Sequence, residues 1–152
     1  MRKIRKKMDK DQAMAVLHSA RRAVLAMNGE DGYPYAIPIN FVFADGRIWF
    51  HCAKAGQKID CLKKDSKVCL TTWDDGYKDP GDWAWRLHSV VVFGRVHFVE
   101  EKEEKIRRLA DLGRKYFPTE EEVRDTLTRL ADNCLLGCVT IDHITGKNIH
   151  EK

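Results

Sequence analysis

Apolar positions recur at helical spacing in several stretches of the chain and alternate with polar ones, or cluster as β-branched and aromatic runs, elsewhere. Met14, Leu17 and His18 fall on one face of a helix expected over residues 10–21, with Asp9 or Asp11 as its cap. A short helix is expected to start near Gln57 and to turn Ile59 and Leu62 inward. The stripe Ile106, Leu109, Ala110 and Leu112 predicts a long helix over 100–116, which Pro118 ends. Another fits residues 120–132, where Thr119 and Glu122 match a capping box. Strands are expected over 23–27, 33–44, 48–50, 68–73, 88–99 and 135–141, with Val90, Val92 and Gly94 on one face of the fifth. Pro34 and Pro38 place parts of the second run at an edge or a bulge, and Asp45-Gly46 predicts an antiparallel hairpin after it.

About six largely antiparallel strands with flanking helices describe a mainly β, β+α fold, a barrel or a sandwich. Strands do not alternate regularly with long helices, which argues against a doubly wound parallel sheet. At 152 residues, without repeats or a long linker, the chain (1–152) reads as a single domain. A six-stranded barrel has no room inside for a ligand, so a ligand site is expected outside it, where two subunits meet.

Composition narrows the class. Hydrophobic residues at 43% and charged residues at 33% fit a globular protein, and no apolar run is long enough to cross a bilayer. The basic start lacks the hydrophobic stretch of a secretory signal, so the expected location is cytoplasmic. The five cysteines, Cys52, Cys61, Cys69, Cys134 and Cys138, are odd in number and lie in apolar segments, which favours free thiols. Their spacing does not make a zinc site, and no metal is expected. Residues 1–10 concentrate positive charge, but a frayed, solvated terminus explains them better than nucleic-acid binding does.

The segment Phe50-His51-Cys52-Ala53-Lys54-Ala55-Gly56-Gln57-Lys58 carries the candidate chemistry. A strand ends, a glycine turn follows, and a helix opens with a lysine in its first turn. Free N–H groups and the positive end of the helix dipole attract phosphate there, and Lys58 adds a full charge. Taken alone, the segment reads more readily as an ordinary strand–helix corner with an exposed lysine.

The wider pattern adds to this. Gly32-Tyr33-Pro34-Tyr35-Ala36-Ile37-Pro38-Ile39-Asn40-Phe41-Val42, then Phe50-His51-Cys52-Ala53 with Gly56 and Lys58, resembles the pyridoxamine 5'-phosphate oxidase-like flavoproteins. The branch it is most similar to is that of the 5-nitroimidazole-resistance proteins. Leu87-His88-Ser89-Val90-Val91-Val92-Phe93-Gly94 and Ile144-Thr145-Gly146-Lys147 continue the match in order. The resemblance implies a split β-barrel and a homodimer with FMN at the subunit interface. By it, Lys58 holds the phosphate with Gly56 and Gln57, while His51, Cys52 and Ala53 line the flavin beside Pro38, Ile39 and Asn40. Ser89 falls on a segment associated with the cofactor or the interface, and Trp73 either stacks near the ring or fills the barrel end. His51 is the implied catalytic residue, near a bound substrate; the alternative is a histidine hydrogen-bonded across the barrel. Two departures stand out: Cys52 replaces a small residue common in the family, and neutral Gln57 replaces a common arginine, which implies weaker FMN binding.

The function the resemblance implies is FMN-dependent reduction of a nitroaromatic compound. True pyridoxamine 5'-phosphate oxidation is disfavoured, because the C-terminal strand offers only Lys147 for a substrate phosphate. The alternative from another class is a flavin-binding protein for storage or stress response that does not turn over, and haem or deazaflavin binding on the same scaffold is a third.

Overall fold

The computed structural model describes residues 6–151. In chain order the elements are α1 (Lys10–Ser19), β1 (Arg22–Asn28), β2 (Pro34–Asn40), β3 (Val42–Ala44), β4 (Arg47–Ala53) and α2 (Gln57–Lys64). There follow β5 (Lys67–Trp73), β6 (Arg86–Phe98), α3 (Lys102–Tyr116), α4 (Glu120–Leu130) and β7 (Cys134–His150). The seven strands form one sheet in the order β2-β1-β5-β6-β7-β4-β3, with each pairing antiparallel. β2 and β3 stand at opposite ends of that order, yet Phe41 alone separates them in the chain. The sheet must therefore curl until its ends approach, and the result is a split barrel.

The expected mainly antiparallel barrel is present, with seven strands instead of six. The run over 33–44 is divided at Phe41, whose side chain is fully buried, and its two halves go to the two ends of the sheet. The last strand also runs past residue 141, to His150. At the Phe93/Gly94 step of β6 the register slips, Ile141 pairing Gly94 and His143 pairing Phe93, so Asp142 is an extra residue that shifts the alternation.

Two faces of the curled sheet are covered differently. Its interior packs Leu25, Ile48, Phe50, Leu70, Val90 and Val92 with Leu17 of α1 into the main core. On the outer face of β4 and β7, Trp49, Leu136, Cys138 and Cys134 meet Leu109 of α3 in a smaller cluster.

The helices form where expected, with two corrections to the faces they bury. In α1 the buried row is Ala13, Val16 and Leu17, so His18 is exposed and its ring meets Phe43 edge-on at 4.8 Å. Asp9 is the cap: it accepts from the Gln12 N–H at 2.8 Å while Gln12 accepts from the Asp9 N–H. In α3 Ile106 is exposed and Arg108 is buried. The guanidinium pairs with Glu104, Asp111 and Asp45 and lies 4.6 Å from the Trp49 ring centre, partners that a hydrophobic stripe does not register. α2 buries Ile59 and Leu62 as expected, and Thr119 caps α4 by accepting from the Glu122 N–H at 3.2 Å.

Residues 1–5 of the basic arm lie outside the described residues. Its inner end is not frayed: Met8 is buried and its N–H donates to the Gly146 carbonyl at 3.0 Å. All five cysteines are free thiols, four of them buried. No helix among the described residues is long and apolar enough to cross a membrane.

Candidate functional site

Strand alternation decides which way each residue of the β4 motif faces. Ile48, Phe50 and Cys52 turn into the core, while Trp49, His51 and Ala53 turn outward opposite Cys138, Leu136 and Cys134 of β7. His51 thus stands at the edge of the outer cluster with an accessible ring, not in a bond across the barrel. Cys52 fills core space. Its burial pushes the thiol pKa up against the opposing charge of Lys58, so it is not a poised thiolate.

Across the split, β2 contributes Pro38, Ile39 and Asn40, and β1 contributes Arg22, whose Cα partner is Asn40. Lys58, in the first turn of α2, completes the ring. These five residues, with His51, line one open cleft of about 340 Å³. Curling of the sheet is what makes this possible, because β2 and β4 are far apart in strand order.

The start of α2 suits an anion. Gly56 caps it at φ 120° and ψ 172°, a region essentially confined to glycine, and supplies no side chain to the cap. Its carbonyl takes the N–H groups of Ile59 and Asp60, at 2.8 and 3.2 Å. The N–H groups of Gln57 and Lys58 are left without a carbonyl partner among the described residues. A Cβ built at Gly56 would meet nothing within 4 Å, so there is open space where a phosphate would sit.

Charge points the same way. Among the described residues neither Lys58 nor Arg22 has a carboxylate partner, and the cleft lining includes no acid. Two uncompensated cations and unpaired amides call for an anionic ligand. Partial burial, with the Lys58 charge second, lowers the His51 pKa below its ordinary 6.5, so the imidazole is neutral at pH 7.

Of the residues singled out from sequence, Pro38, Ile39, Asn40, His51 and Lys58 come together in the cleft, with Gly56 and Gln57 at the helix start beside it. Ala53 is exposed at the end of β4. Trp73 and Ser89 pair with each other across β5 and β6 and are not among the lining residues. Arg22 was missed. It sits at a helix–strand corner with no motif around it, and only the β1–β2 pairing brings it opposite Asn40.

Comparisons with known proteins agree with the fold. The family model described as pyridoxamine 5'-phosphate oxidase matches residues 9–148. No curated protein matches the chain in sequence. Among solved structures, a candidate 5-nitroimidazole antibiotic resistance protein from Bacteroides thetaiotaomicron is 24% identical, with a TM-score of 0.78 over 95% of this chain and 87% of that one. A conserved hypothetical protein from Mycobacterium tuberculosis is 21% identical, with a TM-score of 0.81 over 97% and 89%. An FAD-binding protein from Mesorhizobium loti is 20% identical, with a TM-score of 0.69 over 95% and 97%. At these identities the three structures establish the fold.

Proposed function

This chain belongs to the pyridoxamine 5'-phosphate oxidase family, and on that premise we propose that its cleft holds FMN and that the holoprotein reduces nitroaromatic compounds. The observation that carries the reading is the pair of uncompensated cations, Lys58 and Arg22, facing open space beside the unpaired amides of α2. Lys58 and the amides of Gln57 and Lys58 bind the phosphate, as helix N-termini do. Pro38 of β2 offers an apolar edge to the ring system, beside Ile39 whose side chain turns into the main core, and Arg22 adds charge at the same mouth.

Bound flavin, once reduced by an external donor, supplies two electrons; with two protons they convert a nitro group to a nitroso group and water. The protein's part is orientation. His51, neutral and on the cleft wall, offers one N–H donor and one acceptor to the substrate without a competing positive charge.

A second copy of the chain is proposed to close the open side of the cleft. Trp73, Tyr77, Trp83, Trp85 and Phe93 are large side chains left 42–69% exposed on β5, on β6 and in the loop between them, surface that a second copy would cover. Elution as a dimer in size-exclusion chromatography supports this, and a monomer that keeps its flavin contradicts it.

The test of the function has two stages. FMN and FAD are titrated separately into purified protein with flavin fluorescence as the readout; saturable one-to-one uptake of FMN supports the site, and no uptake overturns it. Anaerobic consumption of a 5-nitroimidazole by the reduced holoprotein then separates an enzyme from a binding protein. The second reading, flavin binding without turnover, is favoured by one feature: the lowered pKa of His51 leaves the imidazole neutral at pH 7, with no extra proton to give to a reacting nitro group.

A further inference from the structure

Below the outer face of β4 and β7, the helices α3 and α4 leave a second cavity of about 170 Å³. Asn40 and His51 line it as well as the cationic cleft, so the two spaces meet at these side chains. Its walls are otherwise mainly apolar, with Leu109 and Leu112 from α3 and Val123, Leu127 and Leu130 from α4.

Two polar groups deeper in the cavity, on Tyr116 and Cys134, are already committed. The Tyr116 hydroxyl accepts from the Phe41 N–H at 3.0 Å and is bonded to backbone carbonyls, and the Cys134 thiol is directed at the Ala131 carbonyl at 4.0 Å. Asn40, His51 and Thr126 differ: among the described residues their side chains make no hydrogen bond. The cavity therefore has a mainly apolar interior, the small Thr126 hydroxyl on its α4 wall, and two unused polar side chains, Asn40 and His51, where it meets the cleft. No charged side chain lines it, so a formal charge inside would lose its hydration without compensation.

Size narrows the occupant further. An apolar cavity of about 150 Å³ is large enough to take up benzene. At about 170 Å³ this one has room for a single aromatic ring with a small substituent. The roof is α4, which sits close on α3 because Gly113 has no side chain; a Cβ there would meet Val123 at 3.2 Å. α4 buries Val123 alone, so small displacements of this roof are cheap enough to admit a ring.

We propose that the α3–α4 cavity is a subsite for an uncharged, single-ring aromatic substrate whose polar substituent faces His51 and Asn40. Its meaning for catalysis rests on the flavin reading above, but ring binding depends on this chain's own residues and is measurable without turnover.

The experiment uses 4-fluoronitrobenzene, followed by fluorine NMR as it is titrated into the full protein with and without FMN. Saturable broadening is expected in both states. Thr126→Trp projects an indole from a half-buried position on α4 into the cavity, and Leu130→Trp does so from an exposed one. Each is expected to weaken the one-ring probe by about tenfold or more while leaving the FMN dissociation constant unchanged. Undiminished probe binding to both folded tryptophan variants, or no saturable binding to wild type, overturns the subsite. Wild type that takes up the probe but not FMN supports the subsite and overturns the flavin reading.

Discussion

The ammonium of Lys115, near the end of α3, donates to the carbonyl of Phe41 at 3.0 Å, and it donates to the Ala20 carbonyl at 2.6 Å as well. It also lies 4.1 Å from the centre of the Phe41 ring. One side chain thus ties α3 to the bend where β2 passes into β3 and to the corner between α1 and β1. Asn40 and Arg22, both lining the cleft, are next to the two anchored corners. Burial and the nearby Arg21 charge lower the Lys115 pKa to about 8.

Lys115→Met is expected to cost about 1 to 3 kcal/mol, because the Ala20 carbonyl loses a partner supplied by a charged group. The cost should depend on pH. Between about 8 and its ordinary 10.5 the unfolded chain keeps the lysine proton while the folded chain has lost it, so this group adds stability to wild type as pH rises through that window. Chemical denaturation of both proteins at pH 7 and pH 10 checks it: the gap between them should widen at the higher pH. A constant gap would mean that Lys115 titrates normally.

Lys58→Ala is expected to weaken FMN binding by about 1.5 to 3 kcal/mol, the range for a hydrogen bond to a charged group. Arg22→Ala should weaken it by less, because Arg22 is exposed and its charge is screened by solvent. Both losses should shrink as salt rises, and riboflavin, which has no phosphate, should bind the Lys58 variant and wild type alike. Equal losses for FMN and riboflavin would move Lys58 away from the phosphate.

Gly56→Ala isolates the backbone. No neighbour would clash with the new methyl group, but alanine is disfavoured at φ 120°, ψ 172° by about 1 to 3 kcal/mol. Relief of that strain redirects the first turn of α2, so FMN affinity should fall while the barrel stays folded. Circular dichroism together with the flavin titration separates the two effects. Gly137→Ala is the contrasting case: its Cβ would come within 2.4 Å of the Phe50 ring in the main core, so it should lower the melting temperature outright.

What the sequence made visible, and what it hid, follows from range. The Asp9 and Thr119 caps, the Asp45-Gly46 hairpin and the inward turn of Ile59 and Leu62 are local, and each was readable from a few neighbouring residues. The β4–α2 corner was also local, which is why His51, Gly56 and Lys58 could be picked out before any fold was known. Arg22 and the α3–α4 cavity were not, because they exist only once β1 pairs with β2 and α3 packs on β4 and β7. The strand beyond Asp142 was hidden for a different reason: the extra residue there breaks the period-two pattern that marks a strand. Ile106 was assigned to the core and Arg108 was not, since a guanidinium matched by three carboxylates looks like surface when read one residue at a time.

His51 yields the most direct test of the site's electrostatics. Its pKa is lowered by burial first and by the Lys58 charge second. In wild type, stability from this group is present at neutral pH and is lost as pH falls below 6.5, because the unfolded chain accepts a proton there that the folded chain resists. His51→Gln should therefore lose less melting temperature than wild type between pH 7 and pH 5. The two causes can be parted by proton NMR titration of the imidazole. In Lys58→Met the His51 pKa should rise, since a cation near it has gone, yet stay below 6.5 because burial remains. A pKa that does not move would show that the ammonium and the ring do not share a field. In that case burial alone would keep His51 neutral in the cleft.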